Sequence, residues 1–474
     1  MPNLEINHLI DNTFSLQKSK SILLRESSSQ HRIKQLENLS GWIKNHHEDI
    51  RKAIHADFKK PYPEIDMTEI FVVTSEIKNA VKNLKDWMKP KKVSTPLTLL
   101  GTSSYIQYEP KGTSLIISPW NYPFNLAIGP LISALAAGCT AIIKPSEMTP
   151  HASALIRRMI EELFDPDTVA VFEGDLDVSQ YLLSKPFDHI FFTGSPTVGK
   201  IIMKAAAENL ASVTLELGGK SPAIIDKDTD LQDAAAKVVW GKFVNCGQTC
   251  IAPDYILVHS DVQSEFVNAL RNELHKMYDP HKKGIENSSD YARIVNDKHL
   301  NRLAYLLSDA ISKGAKIAFG GRMVATDNYF EPTLLTGITE NMDVSHEEIF
   351  GPILPIIAYT KTEDAITYVN SRPKPLALYA FSNNQEVIDA LLMQTSSGGA
   401  VANDCVVHFL HHELPFGGVN NSGIGKAHGH FGFLAFSNEK AILKQRKGLT
   451  SSKSLYPPYG FAGKKITEAL LKWF

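Results

Sequence analysis

The run Asn245-Cys246-Gly247-Gln248-Thr249-Cys250-Ile251-Ala252-Pro253-Asp254 sets a cysteine among small, polar, turn-prone residues instead of inside an apolar element. A thiolate is the attacking form of cysteine, and an ordinary thiol with a pKa near ~8.5 is ionised to only a few per cent at neutral pH. As a nucleophile, Cys250 therefore needs partners from elsewhere in the chain; the alternative is a packed free cysteine. Glu216, in Leu215-Glu216-Leu217-Gly218-Gly219, is a carboxylate among apolar residues. Desolvation there raises its pKa toward the working range of a general base, and a buried glutamate bonded to backbone is the competing reading. Lys144 and Glu147 could bracket a ribose, the ammonium donating to one hydroxyl and the carboxylate accepting from the other. An acid at that place repels a 2′-phosphate and favours NAD over NADP, although a solvated turn charge explains the pair as well. Gly194-Ser195-Pro196-Thr197-Val198-Gly199-Lys200 comes within one residue of a triphosphate-binding loop, but Ile201 stands where a hydroxyl must hold Mg²⁺. It still suits phosphate if it opens a helix, and the absence of G-x-G-x-x-G means any dinucleotide is held by a variant grip.

The elements that must position these groups alternate. Short apolar runs at Ser114–Ile117, Thr140–Lys144, Val169–Phe172, His189–Thr193 and Val213–Leu217 lie between helical stretches near 125–137, 150–164, 177–184 and 197–210. A second series follows at Ala223–Asp226, Tyr255–His259, Lys316–Phe319, Leu354–Tyr359 and Leu378–Phe381, with helices near 231–243, 261–277, 297–313 and 384–394. Strands alternating with helices predict mostly parallel sheets covered on both faces: an α/β chain of two stacked, doubly wound domains with Cys250 near their junction. Ligands in such sheets bind beyond the carboxyl ends of the strands, where Asn121, Lys144, Gly194 and Glu216 all fall. Ahead of this, 31–57 and 65–89 show helical spacing, and Pro90, Pro96 and Gly101–Ser104 mark a loop or hairpin.

A chain of 474 residues, 43% hydrophobic and 21% charged with a net charge of -2, is an ordinary globular composition with no basic field for nucleic acid. Four cysteines in that length make no disulfide framework and point to a reducing compartment. The N-terminus lacks the basic-then-apolar order of a secretory signal, so a cytoplasmic address is expected. Residues 112–143 carry no charge and are long enough to span a bilayer, but Pro119, Pro123 and Pro130 divide them into strand, turn and helix. They read as buried core.

Seven motifs in order, Pro119-Trp120-Asn121-Tyr122-Pro123-Phe124, Lys144-Pro145-Ser146-Glu147, Phe192-Thr193-Gly194-Ser195, Leu215-Glu216-Leu217-Gly218-Gly219-Lys220, Gly247-Gln248-Thr249-Cys250, Glu348-Ile349-Phe350-Gly351-Pro352 and Pro415-Phe416-Gly417-Gly418, resemble the aldehyde dehydrogenase superfamily. The run from Gln248 to Tyr255 and the stretch Gly418–Gly425 are most similar to its class 3 branch, which handles fatty and aromatic aldehydes. The resemblance implies Cys250 as nucleophile, Glu216 as general base and Asn121 as oxyanion donor, converting an aldehyde to a carboxylic acid through a thiohemiacetal and a thioester. It implies adenosine-ribose contacts at Lys144 and Glu147, a pyrophosphate turn from Gly194 and Ser195 to Gly199, nicotinamide-ribose contacts at Glu348 and Phe350, and further cofactor contacts at Trp120 and Leu217. NAD is the first choice and NADP is possible.

It further implies an NAD-binding domain at 1–91 and 111–218, a catalytic domain at 219–415, and a tail at 448–474. Residues 92–110 and 437–447 become a small β oligomerisation element pairing between the subunits of a homodimer. No nucleic acid, metal or stable membrane insertion is implied. Alternatives are a CoA-acylating aldehyde dehydrogenase, against which Glu216 argues, and a catalytically silent structural homologue. Cys246 stands where the branch usually has no thiol, as an inert packed residue or as a disulfide partner for Cys250. His408, His411 and His412 are expected to form a polar wall of the substrate funnel, and the tail helix is expected to pack against the partner subunit or the body.

Overall fold

The β-branched and aromatic runs form two large sheets in the computed structural model, which describes residues 2–448, 450, 453 and 456–473. The first has six strands in the spatial order Gly423–Ile424, Ser212–Leu217, His189–Gly194, Thr113–Ile117, Thr140–Lys144, Val169–Val171, all parallel except the first pair. The earliest of the parallel strands, Thr113–Ile117, thus lies in the middle, and the chain winds outward from it in both directions. Where it meets His189–Gly194 the crossovers leave to opposite sides, and this switch point opens a crevice at the strands' carboxyl ends. Every residue of Thr113–Ile117 and of Thr140–Lys144 is buried, as a sheet with both faces covered requires. The uncharged stretch resolves into these two strands and the helix Asn125–Ala137, buried at every position but Gly129. Among the described residues no helix is long and apolar enough to cross a membrane.

The second sheet has seven strands in the order Lys316–Phe319, Thr333–Thr336, Ile353–Tyr359, Tyr255–His259, Pro222–Ile225, Ala377–Phe381, Gly399–Ala402, parallel apart from the antiparallel edge strand Lys316–Phe319. Its core includes Ile225, Val238, Ile256, Leu303, Leu354 and Phe381, each all but inaccessible to solvent. Burying one such side chain contributes roughly 2 kcal/mol. Thr333–Thr336 and Gly399–Ala402 escape sequence reading because four residues containing threonine or glycine carry no readable period.

Three further features depart from expectation. The helix Pro2–Leu24 was not anticipated; it lays Ile10 and Phe14 on the first sheet's side and anchors Gln17 Nε2 on the carbonyls of Ala141 and Pro166, both at 3.0 Å. The stretch 31–57 is two helices, Ser29–Asn45 and His47–Phe58, broken where His46 leaves helical angles. Within the chain, Thr102–Pro110 runs antiparallel to Ser437–Gln445 from Ser437 opposite Pro110 to Gln445 opposite Thr102, as in a small β element. The tail forms the helix Phe461–Trp473, but Phe461 and Leu471 are exposed, so packing against the body is not what this chain shows. Phe474 lies outside the described residues.

Candidate active site

The helix Leu231–Phe243 stops at Val244, and Asn245, Cys246 and Gly247 then take left-handed backbone angles, with φ of 54°, 55° and 75°. For the two residues with a Cβ this conformation costs about 1–3 kcal/mol each unless the surroundings impose it. The surroundings do. Glu64 Oε2 accepts the Asn245 N–H at 2.9 Å, and Asn245 Nδ2 donates to the carbonyls of Asn121 at 2.8 Å and Gln248 at 3.2 Å. Gln248 is wholly buried, its Nε2 donating to the carbonyls of Asn245 and Arg293 and its Oε1 accepting the Val295 N–H, each at 3.0 Å. A Cβ on Gly247 would stand 2.4 Å from the Gly351 carbonyl oxygen, so no other residue fits this turn. Thr249 Oγ1 meets the Tyr122 hydroxyl at 2.6 Å, and Cys250 emerges next, partly accessible.

Two cavities meet at the Cys250 side chain. One, of about 710 Å³, occupies the crevice at the switch point, and Cys250, Glu216 and Asn121 line it together. The expected cofactor contacts Trp120, Gly194, Ser195, Glu348 and Phe350 line the same cavity. The other, of about 780 Å³, shares Cys250 and Glu216 but is otherwise walled largely by apolar side chains, including Leu126, Trp240, Ile251, Val406, Phe409 and Phe416. The sulfur and the carboxylate thus stand between a polar chamber at the sheet's edge and an apolar one.

Asn121 is buried, and one N–H of its Nδ2 donates to the Gln248 carbonyl at 3.0 Å, which fixes the amide and leaves its second N–H free for an oxyanion. Glu216 pairs in register with Thr193 on the neighbouring strand, whose Oγ1 donates to Oε2 at 3.5 Å; Oε1 is buried without a partner. Burial pushes the Glu216 carboxyl up to about 8, and burial does the same to Glu348. Burial also drives the Cys250 thiol far above its ordinary value, the carboxylates of Glu216 and Glu348 add to this, and the backbone N–H groups of Cys250 and Ile251 oppose it. This environment favours the neutral thiol over the thiolate.

The chamber beside the sheet suits a dinucleotide. Ser195 caps the helix Pro196–Glu208, its Oγ accepting the Val198 N–H at 3.4 Å, so that a helix N-terminus opens at the strand end. Trp120 and Phe350 face each other edge to face with ring centroids 5.4 Å apart, an aromatic slot beside Glu348. A Cβ on Gly218 would lie 2.1 Å from Glu348 Oε2, which shows how closely that carboxylate approaches the strand end. The other expected contacts lie off the chamber wall. Lys144 Nζ and Glu147 Oε2 form an ion pair at 2.6 Å beyond the next strand, with Lys144 buried and Glu147 half exposed. Gly199 and Leu217 meet each other: a Cβ on Gly199 would stand 2.7 Å from Leu217 Cδ2, so the glycine lets helix and strand close together.

Several site residues had no role in the sequence reading. Asp254 Oδ1 accepts the Ile349 N–H at 2.8 Å while Oδ2 pairs with Lys220, whose Nζ also reaches the carbonyls of Val344 at 2.8 Å and Glu347 at 2.9 Å. Arg302 donates to the Glu348 and Ile349 carbonyls, and His299 packs on Trp120 at 4.9 Å, kept neutral by burial that lowers its pKa to about 4. Asp254 and Lys220 stood inside quoted motifs; only their partners, distant in sequence, give them meaning. Cys246 is buried with its Sγ 3.3 Å from the Tyr291 hydroxyl, and burial lifts its thiol to about 12. It is a free, packed cysteine, and no disulfide joins it to Cys250.

The histidine expectation is corrected. Val406, Phe409 and Leu410 line the cavity, whereas His408 packs against the rings of Tyr379 and Phe416 and His412 Nδ1 pairs with Glu76 at 2.9 Å. In the short 3-10 turn Val407–Leu410 the side chains of Val407, Phe409 and Leu410 face the cavity and His408 does not. Among the described residues no group of His, Cys, Asp and Glu is placed to hold a metal ion.

The aldehyde dehydrogenase family profile matches residues 8–442. The chain is 46% identical over 446 residues to a 4,4'-diaponeurosporen-aldehyde dehydrogenase of Staphylococcus aureus, covering 94% of each chain. It is 42% identical over 428 residues to aldehyde dehydrogenase family 3 member A2 of Mus musculus, covering 90% of this chain and 87% of that one. A substrate-bound Staphylococcus aureus AldH structure superposes with a TM-score of 0.93 at 44% identity, over 97% of this chain and 99% of that chain.

Proposed function

The chain belongs to the aldehyde dehydrogenase family, and from that membership we propose that it oxidises apolar aldehydes, medium- or long-chain aliphatic or aromatic, to carboxylic acids on Cys250 with a nicotinamide dinucleotide bound in the chamber at the switch point. The observation that carries this is the position of Cys250 and Glu216 in the walls of both cavities, so that an aldehyde entering along the apolar side meets the sulfur at the border of the polar one. Glu216, pushed up to about 8 beside the thiol, accepts the Cys250 proton as the sulfur attacks the carbonyl carbon. Asn121 Nδ2 and the backbone N–H of Cys250 hold the oxygen of the thiohemiacetal. When bound, the nicotinamide supplies a hydride acceptor, and a thioester on Cys250 results. Glu216, again a carboxylate, takes a proton from the water that attacks this thioester, and the acid leaves as the sulfur is released.

Trp120, Gly194, Ser195, Glu348 and Phe350 would hold the dinucleotide across the chamber, with Lys144 and Glu147 at its adenosine end. The half-exposed Glu147 carboxylate repels a 2′-phosphate, which makes NAD the favoured form and NADP the second. Glu216 beside the sulfur favours water over CoA as the acyl acceptor, and a catalytically silent protein has no need of two cavities converging on one thiol. Residues 1–91 with 111–218 form the dinucleotide-binding unit and 219–415 the catalytic unit, a division supported by the two separate sheets. A homodimer is supported by the free outer edge of Ser437–Gln445, where Leu443 is 51% exposed, and a cytoplasmic setting by four unpaired cysteines.

The test is NADH formation from a panel of aldehydes of increasing chain length and ring size, with NAD or NADP, with and without CoA. Turnover without CoA that rises with apolar length supports the reading; strict dependence on CoA, or no NADH from any aldehyde, overturns it.

A further inference from the structure

Glu216 borders a third cavity, of about 390 Å³, between the helices Phe71–Trp87 and Asn125–Ala137 and the segment at Ala427 and His428. Its partnerless Oε1 leaves the carboxylate open to whatever fills these spaces. The proposed reaction makes a demand on that geometry. The proton that Glu216 takes from Cys250 must leave before the carboxylate can accept another. In the hydrolysis one water O–H bond breaks, a C–O bond forms at the acyl carbon, the C–S bond to Cys250 breaks, and the water proton passes by way of Glu216 to the leaving sulfur, which restores the thiol. The substrate cavity offers chiefly apolar walls, and the chamber at the switch point is where the dinucleotide is proposed to sit.

The third cavity is different. Glu76 and His428 share its wall with Glu216. Glu76 Oε1 accepts the Gly429 N–H at 2.7 Å and Oε2 pairs with His412 Nδ1 at 2.9 Å; His412 Nε2 lies 2.9 Å from Ser75 Oγ, and its side chain is 23% exposed while that of Glu76 is 7% exposed. A line of titratable groups therefore leads from a buried carboxylate to the surface. His428 is held at φ 71° and ψ 142°, a region close to one that essentially only glycine visits, and such strain persists where the surroundings enforce it. Here Phe409 and Phe416 clasp the ring at centroid distances of 4.3 Å and 5.1 Å. Burial raises the Glu76 carboxyl, but the His412 hydrogen bond, the His428 charge and the Gly429 N–H outweigh it and keep Glu76 ionised. Its hydrogen bond to Glu76 lifts His412, and burial lowers His428. Lys426, whose charge acts on Glu216, is tied to the carbonyls of Gly417 and Gly418.

Resting on the aldehyde dehydrogenase reading, we propose that this third cavity is the proton outlet of the active site: water within it passes the proton of Glu216 to His428 and Glu76, and His412 releases one to solvent. The proton count balances, since the Cys250 proton leaves Glu216 for bulk water once for each thioester formed and the water proton returns to the released sulfur. The cavity is narrow, with room for a water or two, and has carboxylate, imidazole and hydroxyl groups to bond them.

The experiment is stopped-flow mixing of the full-length protein with aldehyde and NAD in weak buffer, following NADH absorbance and a pH indicator together. His428→Gly is the decisive variant, because glycine relieves the strained backbone and so spares the fold while removing the ring; His412→Gln and Glu76→Gln accompany it. The expected result is an unchanged NADH burst, proton release slowed about tenfold, and recovery on adding imidazole, which leaves the wild type unaffected. A purely structural role cannot produce imidazole rescue. Proton release at the wild-type rate in folded His428→Gly and His412→Gln overturns the outlet, as does slow release that imidazole does not restore. Absence of any NADH burst in the wild type counts instead against the aldehyde reading itself.

Discussion

Asp254 Oδ1 accepts the backbone N–H of Ile349 at 2.8 Å across 95 residues of sequence, and this one hydrogen bond fastens the loop bearing Glu348 and Phe350 to the segment that follows Cys250. Its other oxygen pairs with Lys220, only 11% exposed, which holds the carbonyls of Val344 and Glu347. The proposed nucleophile and the proposed nicotinamide-ribose contacts therefore share a fixed frame before any ligand arrives.

Asp254→Ala should unfasten that frame. The Ile349 N–H loses its acceptor and Lys220 its charge partner, a loss of about 3 kcal/mol or more for a buried pair. The expected outcome is a lower Tm and, in the folded fraction, a cofactor KM raised about tenfold or more while the aldehyde KM moves far less. Initial rates with each substrate varied in turn check this; equal rises in both constants would contradict it.

Removing the proposed oxyanion donor should act chiefly on chemistry. Asn121 has one amide N–H occupied by the Gln248 carbonyl and one free, and a single oxyanion donor is worth about 3 kcal/mol. Asn121→Ala should slow kcat/KM on the order of a hundredfold with the fold retained, the lost bond to Gln248 costing only about 1 kcal/mol of stability. Near wild-type activity would show that the oxygen is held elsewhere.

Glu216 should divide the reaction by pH. Its carboxyl, raised to about 8 by burial, works as a base only when ionised, so the rate of thioester hydrolysis should climb as pH rises through about 8 and level off above it. Glu216→Gln should abolish that limb. Because Glu216 also takes the Cys250 proton, the variant should lose both the NADH burst and steady turnover by roughly 10² or more. Pre-steady-state traces across pH separate the two phases, and an ascending limb that survives in Glu216→Gln would assign it to another group.

Cys246 should be chemically silent. Its sulfur is enclosed beside the Tyr291 hydroxyl and its thiol is pushed up to about 12, far from the thiolate that oxidants attack. Inactivation by peroxide should proceed at the same rate in Cys246→Ser as in the wild type. Marked protection in the variant would revive the disulfide with Cys250.

The strands and helices that carry the site were legible because they are long and strongly patterned: Thr140–Lys144 and Tyr255–His259 have the bounds read from sequence, and Asn125–Ala137 fills its expected span. Cys250 and Glu216 were found by type and Asn121 through the family resemblance, and their convergence on one cavity followed from each lying at or beside the end of a strand or helix near the crevice. What stayed hidden was reciprocal. Gln248 means little until Arg293 and Val295 come round to meet its amide, and Asp254 little until Ile349 does. The apolar funnel was misread because three histidines dominate the sequence of that loop, while orientation within a short turn decides which side chains face the cavity. The third cavity could not be foreseen, since Glu76 and Gly429 lie 353 residues apart.

The most direct measurement is mass spectrometry of the wild-type protein, quenched in acid within the first turnover after mixing with NAD and an apolar aldehyde. An acyl group on the peptide that contains Cys250, absent when NAD is omitted and released by hydroxylamine, is the expected result. NADH formed with no acylated cysteine, or with the acyl group on Cys139, Cys246 or Cys405, would contradict Cys250 as the nucleophile.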